Sequence, residues 1–241
     1  IDGFGAHPNS VNGRGNVFRG CRAWFNSDDG FDLINADTAV VIEGCWSFYN
    51  GYWTNFVAFL DGDGHGFKSG GYGRNGSAIP NPVPRHVTRF CLAVRNRASG
   101  FYANHHTGGL DWFNNTACRN TVNYNLLSTL TNNLTDVPGY DHVMKNNLGY
   151  KATSSEVSNL GATNDTSFNY FTLPVTVTND DFMSLDESLL TLPRQADGDL
   201  PYLAFMQLVN RSDLVDAGTN AGLGYTGSAP DLGAFEYGSH P

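Results

Sequence analysis

Apolar residues in this chain come in short alternating runs, broken by glycine and asparagine, and the runs recur. Aligning FRGCRAWFNSDDGFD (18–32) with TRFCLAVRNRASGFY (88–102) puts a Cys, an Asn five residues later and a Gly-Phe pair nine and ten residues later in one frame. Cys21, Asn26, Gly30 and Phe31 fill it once, and Cys91, Asn96, Gly100 and Phe101 fill it again. EGCWSFYN (43–50) adds Cys45 and Asn50. NNTACRNTVNYN (114–125) adds Asn115, Asn120 and Asn125 at the same offsets, without the Cys. The Asn column 26, 50, 96, 120 steps by 24, 46 and 24, the middle step being close to two periods. Short strands at a period near 24, with no helical run, predict an all-β parallel β-helix whose coils are three strands joined by turns.

The frame also predicts side-chain columns. Asn tolerates the left-handed backbone region, so stacked Asn at one corner is expected to form an amide ladder. Cys21, Cys45 and Cys91 are expected to point inward as small apolar groups. The pairs Gly3-Phe4, Gly30-Phe31, Gly66-Phe67 and Gly100-Phe101 should stack with Phe inside. Alternation then turns the next residues outward, so that Asp32, Lys68 and Tyr102 form one exposed row following Gly5. Cys45 and Phe67 are 22 residues apart where the frame allows ten. An excursion of twelve residues within 51–65 therefore precedes Lys68, and a Gly/Pro-rich loop (70–85) follows it. Loops on a rigid scaffold usually carry function.

The coils are expected over residues 1–151. The repeat fades beyond about 125, and 152–241 reads as a region of the same domain that packs on or caps the stack, with a short helix over 197–209. Ile1 opens the chain with Asp2 already inside the repeat, so further coils are expected upstream, together with any export signal.

Composition narrows the chemistry. Gly accounts for 28 of 241 residues, and charged residues make up only 15 %. A net charge of −9 argues against sequence-independent nucleic-acid binding, which needs a basic surface. No apolar run is long enough to span a membrane. An acidic protein that binds a polyanion needs a local cation. Only three lysines occur, Lys68, Lys145 and Lys151, so a lysine on the outward row stands out.

NSDDGFD (26–32) packs Asp28, Asp29 and Asp32 into five residues, and the register sets Asp2 over Asp29. Four converging carboxylates repel one another unless a cation is present, and oxygen-only donors favour Ca²⁺. The alternative is that Asp28 and Asp29 merely build a turn. DGDGHG (61–66) has the outline of a calcium loop but lacks the distal Glu of an EF-hand. Lys68, beside such an ion, would have its pKa lowered and could act as a general base, against the alternative of a surface salt bridge. In a uronic-acid polymer the C5 proton lies α to a carboxylate. A base beside a carboxylate-neutralising cation therefore points to β-elimination.

DGFGAH (2–7), NSDDGFDLI (26–34) and GFKSGG (66–71) resemble polysaccharide lyase family 9 over roughly residues 1–125. The resemblance implies a right-handed parallel β-helix and a secreted, periplasmic or cell-surface enzyme acting as a monomer on pectin. It also implies calcium held by Asp2, Asp28, Asp29 and Asp32, with Lys68 as the base. The family acts on homogalacturonan and on rhamnogalacturonan I, and both stand as substrates. Tyr102, His105, His106 and Arg74 are candidates for substrate binding; the two histidines read equally well as a polar corner, and Arg85 and Arg89 are further carboxylate binders. Two other readings remain: a β-helix glycoside hydrolase using paired carboxylates such as Asp28 and Asp29, and a non-catalytic, calcium-dependent carbohydrate-binding solenoid.

Overall fold

A computed structural model describes residues 1–8, 13–73 and 78–238. Three parallel sheets form the walls of a β-helix. The first is six-stranded and stacks Phe4–Gly5, Phe31–Asp32, Phe67–Lys68, Ser99–Tyr102, Val122–Asn125 and Ser155–Ser158 in chain order. The second and third have five strands each, starting at Asn16–Arg19 and Arg22–Trp24 and ending at Val143–Lys145 and Leu148–Tyr150. The repeat therefore runs past residue 125, further than its sequence signature, because the later coils keep the strand register while losing the Cys and Gly-Phe landmarks.

The Gly-Phe register holds at every step. Phe4 pairs with Phe31, Phe31 with Phe67, and Phe67 with Phe101. Their rings stack inside at centroid separations of 5.0, 4.9 and 5.0 Å, and Tyr124 continues the column at 5.1 Å. That spacing is close to the distance between neighbouring strands, so the backbone ladder sets the rings in contact. Gly30 sits where a Cβ would run into Ser47 Oγ and the Gly66 carbonyl, which accounts for glycine before the inward Phe.

The amide ladder is present. Asn26 Nδ2 donates to Asn50 Oδ1 (2.7 Å), Asn50 to Asn96 (2.8 Å) and Asn96 to Asn120 (3.0 Å). A second ladder continues from the thiol column: Cys91 N donates to Asn115 Oδ1, Asn115 to Asn147 and Asn147 to Asn169. The left-handed residues are not the ladder asparagines, however. They are the residues just before them, Phe25, Tyr49, Arg95 and Arg119, with φ of 53°, 55°, 50° and 57°. The turn aims each Asn amide inward along the axis and the preceding side chain outward. All four cysteines are free.

Residues 179–237 lie along the side of the third sheet rather than across an end of the stack. Phe182, Leu190, Leu203, Phe205, Met206, Leu208, Leu214 and Leu232 pack onto Trp46, Phe48, Leu92, Val94 and Leu148. The expected helix over 197–209 is absent. Its apolar residues serve an extended, irregular segment bridged at Phe205 to Ser184 and at Leu208 to Phe182. Glu187 locks this region down: Arg95 Nε donates to both of its carboxylate oxygens at 2.8 Å, and Arg119 and the Tyr49 hydroxyl donate to it as well. Burial raises its pKa, but these donors outweigh burial and hold it below the ordinary range. Glu187→Ala leaves several donors unpaired and is expected to cost about 1–3 kcal/mol, read as a lower melting temperature. An unchanged melt would exclude the clamp.

A column of buried histidines lines one corner. Nδ1 of His86, His106 and His142 accepts the N–H of Val40, Gly71 and Leu110 at 3.1, 3.1 and 3.0 Å. An accepting Nδ1 requires the neutral ring. Burial is the largest cause that pushes His86 and His142 down to about 3 and His106 to about 4. An unfolded histidine titrates near 6.5, so the unfolded chain takes up protons that the folded one refuses. This contribution to stability is complete above that value and is lost as pH falls, by about 1.4 kcal/mol per pH unit for each ring. Melting temperatures measured from about pH 7 down to 5 should drop steeply, and a flat profile would count against the column.

Candidate active site

Asp32, Lys68 and Tyr102 are adjacent across three strands of the first sheet, as the register predicts. Their exposure is a correction: the row faces outward but is covered, leaving Asp32, Lys68 and Tyr102 only 4 %, 8 % and 7 % exposed. The cover is the 51–66 excursion. It returns across the aspartate turn, where Asp63 N donates to Asp28 Oδ1 (2.6 Å) and His65 N to Asp29 Oδ1 (2.7 Å). A Cβ on Gly62 would strike the Ser27 carbonyl, so this close crossing needs glycine. Arg97, one coil on, holds the carbonyls of Gly62 and Asp63 from below.

Lys68 Nζ lies 3.1 Å from Asp29 Oδ2, 3.2 Å from Asp32 Oδ2 and 3.6 Å from Asp63 Oδ2. Burial alone would lower its pKa. The negative charges of Asp29 and Asp32 outweigh burial and hold the ammonium well above the ordinary lysine range, opposite to the lowering expected beside an ion. Burial raises Asp29 to about 7, against the Lys68 charge and the His65 N–H, with Asp28 and Asp32 pushing further up. Asp32 is raised for the same leading reason.

The structure brings Asp2, Asp28 and Asp29 together, with one carboxylate oxygen from each lying within 4.8 Å of the others. Asp2 Oδ1 also accepts Asp29 N at 3.1 Å. Asp32 stands apart from this trio and turns one oxygen to Lys68 and the other to Ile34 N (2.7 Å). Asp29 Oδ2 is buried and faces the lysine as an ion pair without a directed hydrogen bond. Five carboxylates (Asp2, Asp28, Asp29, Asp32 and Asp63) against one lysine ammonium, oxygen-only donors and an underused buried oxygen fit a hard divalent cation such as Ca²⁺.

The remaining candidates separate clearly. His105 is partly exposed, with Nδ1 at 2.7 Å from Asp136 Oδ1. His106 is fully buried, its Nδ1 taken by Gly71 and its Nε2 on the Pro84 carbonyl at 3.0 Å. It fastens the loop after Lys68 and offers no surface to a polymer. Tyr102 is buried under the His65 ring, with centroids 4.3 Å apart. His65 Nδ1 accepts Ser99 N, and burial pushes this ring down to about 3, so it is a neutral prop. Arg74 lies outside the described residues. Arg85 and Arg89 belong to the second wall, bound to Asp111 and Glu43. Asp63 was missed as a site residue; the signal was its place in the excursion immediately before Lys68.

A three-walled parallel β-helix with an aspartate–lysine corner on the outer face of one wall defines the class. Residues 1–147 match the model of the Pel9A-like, right-handed β-helix region. The chain belongs to this Pel9A-like family of right-handed parallel β-helices, in line with the resemblance to polysaccharide lyase family 9. It is 42 % identical over 238 residues to pectate lyase L of Dickeya chrysanthemi, covering 98 % of this chain and 51 % of that protein. With pectate lyase L of Paenibacillus polymyxa (strain SC2) it shares 31 % over 234 residues, 92 % of this chain and 46 % of the relative. A solved rhamnogalacturonan lyase superposes with a TM-score of 0.80 at 46 % identity, over 87 % of this chain and 52 % of that one. Pectate lyase Pel9A gives 0.78 at 41 % identity, over 98 % and 54 %. The chain thus spans about half the length of these relatives.

Proposed function

We propose that this chain carries the active site of a calcium-dependent polysaccharide lyase. It cleaves a galacturonate-containing pectic polymer, homogalacturonan or the rhamnogalacturonan I backbone, by β-elimination. The observation that carries the reading is Lys68 Nζ held within 3.2 Å of Asp29 and Asp32, beside the carboxylate trio. The relatives named pectate lyase and rhamnogalacturonan lyase support the substrate class.

Asp2, Asp28 and Asp29, whose oxygens already converge, would hold Ca²⁺, and Asp32 would join them only by giving up one of its present partners, Lys68 or Ile34 N. When bound, the ion supplies positive charge that neutralises the uronate carboxylate and acidifies the neighbouring C5–H. Lys68, as the free amine, accepts H5. The C5–H electron pair forms the C4–C5 double bond, and O4 leaves with the glycosidic pair and takes a proton from water, while Lys68 returns H5 to solvent. Asp29 and Asp32 orient the amine, and the excursion over the row limits water. Such a polymer is met in the plant cell wall, so the protein would work secreted, periplasmic or at the cell surface, as a monomer.

The test is an elimination assay on polygalacturonate and on rhamnogalacturonan I, with calcium or with chelator. Calcium-dependent appearance of the unsaturated-uronate ultraviolet absorbance is expected on one of them. New reducing ends without that absorbance would mean hydrolysis, and binding without product would mean a carbohydrate-binding solenoid.

A further inference from the structure

The left-handed corner residues project outward in a column whose members, Phe25, Tyr49, Arg95 and Arg119, follow one another coil by coil. Phe25 and Tyr49 stack at 5.5 Å. The hairpin of the excursion, closed by the Tyr52–Ala58 bridge, sets Phe56 edge-on to both, at 5.4 and 5.1 Å, and Tyr52 edge-on to Tyr49. Tyr49, Tyr52, Phe56 and Arg95 enclose an open cavity of about 290 Å³. Phe56 is 60 % exposed and Trp53, on the same hairpin, 54 %. Nothing in the elimination chemistry uses this surface.

We infer that this cavity is an accessory subsite for an acidic galacturonide segment of the polymer, distinct from the aspartate–lysine corner. The inference rests on the pectic reading of that corner. Three observations select the ligand. Exposed aromatic rings of this kind are costly on a soluble surface and mark binding sites; their faces suit the apolar C–H faces of sugar rings. Arg95 and Arg119 share the single carboxylate of Glu187, which leaves excess positive charge on the wall of a chain with net charge −9. Arg95 keeps 42 % of its side chain exposed, so its guanidinium can pair with a uronate carboxylate. One loop serves both places: the excursion that carries Tyr52 and Phe56 also brings Asp63 to 3.6 Å from Lys68. A bound chain on this wall would deliver its neighbouring units to the corner.

The test uses the full chain in a Lys68→Arg background, so that ligand is not consumed, and titrates galacturonides of increasing length by calorimetry. The double variant Tyr52→Ala/Phe56→Ala should bind long oligogalacturonides about tenfold more weakly. Binding of a digalacturonide, which fills only the corner, should be unchanged. A neutral galactan of equal length should bind neither protein. In the Lys68 protein the same pair of substitutions should raise KM for polymer and leave kcat unchanged. Melting temperatures verify folding, and if the double variant melts early, Phe56→Leu, which keeps bulk but removes the ring face, takes its place. Equal affinity of parent and variant for long oligomers overturns the subsite, as does equal binding of neutral galactan. Equal affinity combined with a mass that falls on substitution would make the strip a contact between copies and also overturns it. Loss of lyase activity and of all galacturonide binding in the unsubstituted protein would instead overturn the pectic reading itself.

Discussion

Lys68→Arg is expected to retain a folded protein and to lose elimination activity by about 10²–10⁴-fold, the usual contribution of a general acid–base group. Guanidinium stays protonated at any accessible pH and cannot accept H5, yet it keeps a positive charge against Asp29 and Asp32. That makes it a cleaner test than Lys68→Ala. The lysine is buried, so alanine would strand the Asp29 carboxylate without its counter-charge, and breaking such a pair costs about 3–5 kcal/mol. The alanine variant should therefore be both inactive and less stable. Only the free amine is a base, and the two carboxylates hold Lys68 above its ordinary range. The rate should consequently rise with pH, about tenfold per unit, across the alkaline range. Neutralising Asp29 and Asp32 weakens that hold, so raising calcium should move the rise to lower pH. The decisive measurement is the pH–rate profile of both variants beside the parent. A Lys68→Arg protein within about tenfold of the parent would assign the base elsewhere, and neutral, buried His65 is a poor candidate.

Chelation, or Asp29→Asn, is the second large effect expected: turnover should vanish in both cases. Asp29 is the most buried of the acidic group and has an oxygen with no directed hydrogen bond. Removing its charge takes a donor from the centre of the trio while preserving shape. A readout independent of activity is the melting temperature. An ion that binds only the folded chain adds about 2.7 kcal/mol at a hundredfold excess over Kd. Calcium should thus raise the melting temperature of the parent and leave that of Asp29→Asn unmoved. Asp63→Asn should retain most of the calcium-induced shift, since Asp63 faces Lys68 from outside the trio. Full turnover in metal-free buffer would end the calcium reading.

Much of this site was legible before any coordinates. The Gly-Phe frame ordered Asp32, Lys68 and Tyr102 correctly because parallel strands in register stack equivalent residues, so a spacing along the chain becomes a neighbour in space. The same rule put Asp2 beside Asp29 across 27 residues. The rule is silent on burial, and the expectation of an exposed lysine failed there. The excursion is not periodic, and nothing in its composition states that Gly62 would lie against the Ser27 carbonyl or that Asp63 would reach Lys68.

His105 and His106 make the same point. The two rings do part, but through a turn in which Asn104 and His105 are both left-handed, with φ of 55° and 56°, not through strand alternation. Only the contacts of His106 with Gly71 and Pro84 made it a backbone acceptor at Nδ1, while His105 stays near solvent beside Asp136. The left-handed turns also escaped the sequence, because bulky residues such as Phe25 and Tyr49 adopt them where asparagine was expected.

By itself, then, the sequence determined what repeats: the coil length, the inward Phe and Cys columns, the amide ladder and the order of aspartates and lysine along one wall. These follow from backbone hydrogen bonding at a constant strand spacing, which converts period into position. Only the tertiary structure decided what breaks the period. It laid the excursion over the lysine, drew Asp63 in, held residues 179–237 against the third wall through Glu187, and set the protonation of Lys68 and Asp29. Those outcomes depend on contacts between segments far apart in the chain and on how much water is left around each charge, and no local pattern encodes either.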